Sequence, residues 1–96
     1  MDVRERRRIT IRGLVQGVYF RETVRRIAGS HDVAGFVRNV DLDVVEIEVE
    51  AEPAVLEAFI GEVLGSPPPR ARVDDVRHTV TAPTGERGFS VAPTVR

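Results

Sequence analysis

The chain contains no cysteine and no lysine. The first absence rules out disulfides, thiolate nucleophiles and cysteine-based metal sites, and it fits a reducing compartment. All 14 basic residues are arginine, which reads as the codon bias of a GC-rich genome. Aromatic residues make up 5% of the chain, too few for the stacking platforms that read single-stranded RNA. Charge of one sign is not in excess. The formal net charge is −1, so no global field draws the chain to nucleic acid or to a membrane. No apolar run approaches the ~20 residues of a membrane-spanning helix, and the charged N-terminus lacks the apolar core of a secretory signal. Internal repeats and low-complexity tracts are also missing. What remains is 96 residues with 42% hydrophobic and 30% charged content, the size and mix of one modest globular core. A single domain over residues 1–96 is expected, ordered over residues 6–92 and loose at both ends. A cytoplasmic monomer without cofactor, metal, nucleic-acid partner or membrane partner is expected as well.

The chain is organised around Gly13-Leu14-Val15-Gln16-Gly17-Val18-Tyr19-Phe20-Arg21. Before it, Ile9-Thr10-Ile11-Arg12 alternates apolar and polar as a half-buried strand does. After it, Val24, Ile27 and Ala28 recur at helical spacing. The nonapeptide is therefore a strand-to-helix turn. Its glycines permit positive φ or close approach to a ligand, its successive N–H groups can converge on an anion, and a helix N-terminus adds about half a positive charge. Arg21 contributes a planar fork suited to two phosphate oxygens. The pattern is neither a Walker loop nor a dinucleotide fingerprint. On spacing alone it is either a phosphate pocket or an ordinary turn carrying a surface arginine.

The rest of the chain supplies a frame. The first strand is expected over residues 7–13, with Ile9 and Ile11 inward, and the cluster Arg4, Arg6, Arg7 and Arg8 is read as a solvated strand entry. The first helix should run over residues 21–30 and close at His31-Asp32, with Asp32 in a left-handed cap. His31 has no second ligand near it in sequence and is assigned to packing or surface. Strands over residues 34–40 and 44–51 should pair through Asp41-Leu42-Asp43. In the latter strand Val45, Ile47 and Val49 alternate with Glu46, Glu48 and Glu50. That carboxylate row invites a metal site, but an exposed face explains it without one. Pro53 opens a second helix with Val55, Leu56, Phe59, Ile60, Val63 and Leu64 on its apolar face, ended by Gly65. A stiff Ser66-Pro67-Pro68-Pro69 connector leads to a strand over residues 72–82, with Val76, His78 and Val80 on one side, and a short strand over residues 88–91. The order predicts a ferredoxin-like βαββαβ α+β sandwich, an antiparallel sheet with both helices on one face and with the first and third strands parallel in its centre.

Residues 13–21, followed by Gly35-Phe36-Val37-Arg38-Asn39 and then by Pro68-Pro69, Ala71-Arg72-Val73 and Gly88-Phe89, closely resemble the acylphosphatase family over nearly the whole chain. The family carries Gly-x-Val-Gln-Gly-Val-x-Phe-Arg and, one helix later, Gly-Trp-Val-Arg-Asn. His31-Asp32 departs from its usual leucine and glycine, and Asp43 stands where it usually has a turn glycine, so Asp43 is expected at positive φ. The resemblance implies metal-independent hydrolysis of a small acyl phosphate to carboxylate and phosphate. It implies that Arg21 binds the phosphate with the loop amides of Val15, Gln16, Gly17, Val18, Tyr19, Phe20 and Arg21, and that Asn39 positions the attacking water. Arg38 should face away from Asn39.

Two other readings compete. One is a non-catalytic anion-binding domain like that opening the carbamoyltransferases of hydrogenase maturation; the chain's ending after this domain favours the free-standing enzyme. The other is an RNA-binding sheet of the same topology, opposed by the few aromatics and the acidic third strand.

Overall fold

Alternation along the strands decides which face of the sheet is covered. A computed structural model describes residues 3–96. The elements are β1 (Glu5–Leu14), α1 (Phe20–Ala28), β2 (Ala34–Val40), β3 (Val44–Ala51), α2 (Pro53–Gly65), β4 (Arg72–Thr81) and β5 (Phe89–Val91). Ile9 and Ile11 of β1, Val37 of β2, and Val45, Ile47 and Val49 of β3 are buried. They meet Phe20, Val24 and Ala28 of α1 and Leu56, Phe59, Ile60 and Val63 of α2 in one core. Burying each large apolar side chain stabilises the fold by about 1.5–3 kcal/mol. The expected α+β sandwich is thus observed, with its helices on the face that these residues share.

The strand order is β4-β1-β3-β2-β5. β1 and β3 are central neighbours, as expected, but they run antiparallel, not parallel. The hairpin between β2 and β3 is the reason. β3 returns beside β2 and slots between the two strands that α1 connects, so β1 lies parallel to β2 without touching it. β5 joins β2 in parallel, which makes the sheet mixed. β4 pairs with β1 and forms an edge. Its Val76 and His78 sit opposite Ile11 and Ile9, but the helices do not cover this edge, and Val80 is 73% exposed.

Local endings differ from expectation in four places. α1 closes through tightened bonds, Ser30 N–H to Ile27 O at 3.0 Å and His31 N–H to Ala28 O at 3.1 Å, so Asp32 takes no left-handed cap. In the β2–β3 turn the left-handed residue is Asp41 (φ 53°), not Asp43; aspartate tolerates this region better than most residues do. Gly65 is the last helical residue, and Ser66 closes α2 with an N–H bond to Glu62 O at 3.0 Å. Finally, the chain past Pro93 is not loose. Val95 N–H donates to Asn39 O at 2.9 Å and Asp41 N–H to Val95 O at 2.8 Å. At the other end Met1 and Asp2, part of the expected frayed segment, lie outside the described residues, while Glu5 already belongs to β1.

The face of the sheet away from the helices carries charge, and it is not simply solvated. Arg6 is only 4% exposed. It donates to Glu48 at 2.9 Å, Glu50 at 3.2 Å and Glu86 at 3.1 Å. Glu50, 1% exposed, also accepts the amides of Thr84 at 2.7 Å and Gly85 at 2.9 Å. Burial pushes the Glu50 carboxyl up, but those amides and Arg6 outweigh it and hold the group below its ordinary value. Glu48 is likewise lowered, burial being outweighed by Arg6 and Arg8. Glu46 is paired with Arg38 at 2.7 Å. The carboxylate row is therefore consumed by arginine, and among the described residues no group of three metal-ligating side chains gathers.

Candidate active site

Two glycines shape the loop between β1 and α1. At Gly13 (φ 148°) a Cβ would lie 2.1 Å from Arg72 O, so only glycine lets β1 pass β4 at the register shift between Arg12 and Gly13. Gly17 (φ 73°) has open space around it; there the requirement is conformational. Tyr19 then adopts a left-handed conformation (φ 64°) directly before the helix. For a non-glycine residue that costs about 1 kcal/mol or more, and such strain concentrates at functional sites.

The side chains of Val15, Val18 and Phe20 are buried in the core, so these residues can offer a ligand only their backbone. Gln16 turns its amide the other way. Its Nε2 donates to Val44 O at 3.0 Å and Asp41 O at 3.1 Å, and lies 3.3 Å from Val40 O. The loop is thereby tied to the end of β2, one residue beyond Asn39. Among the described residues, no amide from Gln16 to Glu22 has an intramolecular acceptor; the first bond of α1 is Thr23 N–H to Tyr19 O at 3.0 Å. Those are the orphan donors expected where a helix begins.

An open cleft of about 670 Å³ lies over these amides, and Gly17, Tyr19, Arg21 and Arg70 border it. Arg21 makes no ion pair with any described residue, although Arg25 of the same helix closes on Glu22. The acid beside it, Glu22, is held by Arg25 at 3.0 Å, which keeps the Glu22 carboxyl below its ordinary value. Tyr19, 82% exposed, flanks the mouth. Arg70 was invisible to spacing arguments because it arrives from the connector after α2; its lone signal in the sequence is a cation closing a proline run.

Asn39 does not line the cleft. It is 7% exposed, on the helix side of β2, and its Oδ1 is buried without a hydrogen-bond partner in the described chain. An acceptor left in that state is costly unless something donates to it. Arg38 points to the opposite face, as expected, with its guanidinium 5.2 Å from the Phe36 ring centre. His31 packs edge-on to Phe59 with Nε2 2.9 Å from Glu62, a packing role. A polar hollow of about 540 Å³ at the other end of the sheet mixes Asp32 and Glu86 with Arg4 and Arg87, and its carboxylates disfavour an anion.

The chain is a small ferredoxin-like α+β sandwich that, among the described residues, carries amides without acceptors and a guanidinium without an ion pair at the start of α1. Comparison with known proteins narrows the class. The acylphosphatase family model matches residues 7–91. Acylphosphatase of Thermotoga petrophila is 39% identical over 84 residues, covering 88% of this chain and 92% of that one. The crystal structure of acylphosphatase from Bacillus subtilis superposes with a TM-score of 0.85 at 34% identity, covering 92% of this chain and 98% of that one. Full-length HypF in its phosphate- and nucleotide-bound form superposes with a TM-score of 0.91 at 31% identity, over 99% of this chain but 13% of that one. The chain belongs to the acylphosphatase family, and it is an enzyme of the acylphosphatase type.

Proposed function

We propose that the protein hydrolyses small acyl phosphates at the carboxyl–phosphate bond without a metal ion, with Arg21 and Asn39 as its catalytic residues. The phosphate group sits over the amides from Val15 to Arg21, and the Arg21 fork takes two of its oxygens. Asn39 Oδ1 accepts a hydrogen bond from a water molecule and aims its lone pair at phosphorus. The new P–O bond forms in line with the bond that breaks. The electron pair of the broken bond leaves with the carboxylate, and the surplus water proton passes to phosphate or solvent. A carboxylate with a pKa of about 4 departs without protonation, so the site requires no general acid. Placement and charge stabilisation are the remaining demands of phosphoryl transfer.

The observation that carries this reading is the run of amides without acceptors from Gln16 to Glu22 beside an Arg21 without a carboxylate. The buried, unbonded Asn39 Oδ1 supports the water's place. Phosphate release from benzoyl phosphate, with a phosphate monoester as control, tests it. Turnover of the acyl phosphate alone is expected. The chain also resembles one part of HypF, and phosphate binding with no release from benzoyl phosphate would replace this reading with anion binding alone.

A further inference from the structure

The cleft over the loop continues into a second groove of about 680 Å³ between the start of α1 and the proline connector, and Gly17, Tyr19 and Arg70 border both. We propose that this groove is a subsite for the acyl group, and that Arg70, assisted by Arg26, makes it favour acyl phosphates that carry a further negative charge. The inference rests on the hydrolase reading above.

Three observations carry it. No acidic side chain lines the groove, and the one on the adjoining cleft, Glu22, is engaged by Arg25. Among the described residues Arg26 and Arg70 make no ion pair, whereas Arg72, two residues on, closes on Asp74 at 2.9 Å. Second, Arg70 is stationed by its backbone: Ala71 N–H donates to Pro68 O at 2.9 Å, and Pro68 is buried. That turn holds the arginine at the junction of the two clefts. A wall of consecutive prolines has little conformational freedom left to lose when a ligand packs against it. Third, in-line displacement sets the acyl oxygen opposite the attacking water. Asn39 lies on β2 and borders neither cleft, whereas Arg70 borders both; with the water held at Asn39, the acyl group under this proposal lies on the connector side, where the two cations are.

The test compares succinyl phosphate with butyryl phosphate, two acyl phosphates of equal carbon count of which only the first bears a free carboxylate. The readout is the ratio of their kcat/KM values, in which any partly unfolded enzyme cancels. The wild type should favour succinyl phosphate, and added salt should compress the preference. Arg70→Gln should lower the ratio about fivefold and Arg26→Gln with Arg70→Gln about tenfold, the scale of screened ion pairs. Arg70→Lys should keep most of it. An unchanged ratio in Arg70→Gln would overturn the subsite, as would an equal fall on both substrates, which would place Arg70 in the phosphate cradle. No wild-type turnover of either compound would overturn the hydrolase reading itself.

Discussion

The open face of the sheet and the cleft at the start of α1 both carry arginine, and they treat it in opposite ways. On the sheet, Arg6, Arg8, Arg12 and Arg38 each close on a carboxylate, and the buried Glu50 is fully supplied with donors. At the loop, Arg21 and Arg70 close on none among the described residues, and the amides beside them have no acceptors. The first region spends its hydrogen bonds on holding strands and the β4–β5 segment together. The second keeps its donors uncommitted at a helix start, the arrangement that the proposed anion site requires. Family membership gives the anion its chemistry, but the contrast is visible without it.

If the contrast is correct, damage at the two regions separates cleanly. The largest effect is expected from Arg21→Lys, which should cost roughly 10³-fold or more in turnover of benzoyl phosphate, because an ammonium cannot make the two-point contact. Its unfolding free energy should move by less than about 0.5 kcal/mol. Turnover like the wild type would remove Arg21 from the site. Asn39→Ala should lower kcat by about 10²–10³-fold while phosphate inhibition is largely kept; a rise in KM alone would assign Asn39 to binding.

Arg6→Ala should do the reverse. Stripping the buried carboxylates of their cation is expected to cost about 3–5 kcal/mol of stability, read by urea unfolding. Activity per folded molecule should not change, and a selective activity loss would blur the boundary between the regions. A smaller, graded effect is expected with acid. The Glu48 and Glu50 carboxyls lie below their ordinary 4.5 in the folded protein, so between the two values the unfolded chain binds more protons. Their contribution is complete above about pH 4.5 and is lost as the pH falls through the folded value. Glu50→Gln should flatten that acid limb; an unaltered limb would place the titration elsewhere. The smallest effect is expected from EDTA, which should leave turnover intact. Inhibition reversed by a divalent cation would show that Arg21 and the amides do not suffice.

Much of this was legible in the chain itself. Alternation through Val45, Ile47 and Val49 and the helical stripe at Phe20, Val24 and Ala28 located the elements, because both patterns are local. The direction of β3 against β1 was misread, since a strand's neighbours are chosen by the hairpin and not by its own residues. Arg6 was read as solvated because its partners stand more than forty positions away in the chain, and the closing segment was read as loose because its partner is the backbone of β2. The loop was readable as a strand-to-helix turn, and spacing alone left a phosphate pocket and an ordinary turn equally open. That Gln16 braces the loop against the β2–β3 turn, and that Arg70 comes round from the connector, depends on tertiary folding.

The pairing of Val95 with the backbone on either side of Val40 has a practical bearing on how the protein is handled. β1 enters the sheet opposite Ala51, whereas its loop end lies opposite Val44, so the start of β1 and Val95 lie at opposite poles of the sheet. An affinity tag or fluorescent label joined ahead of β1 hangs far from Asn39 and its buried Oδ1. The same addition after Arg96 begins beside it and tugs on the strand that carries it.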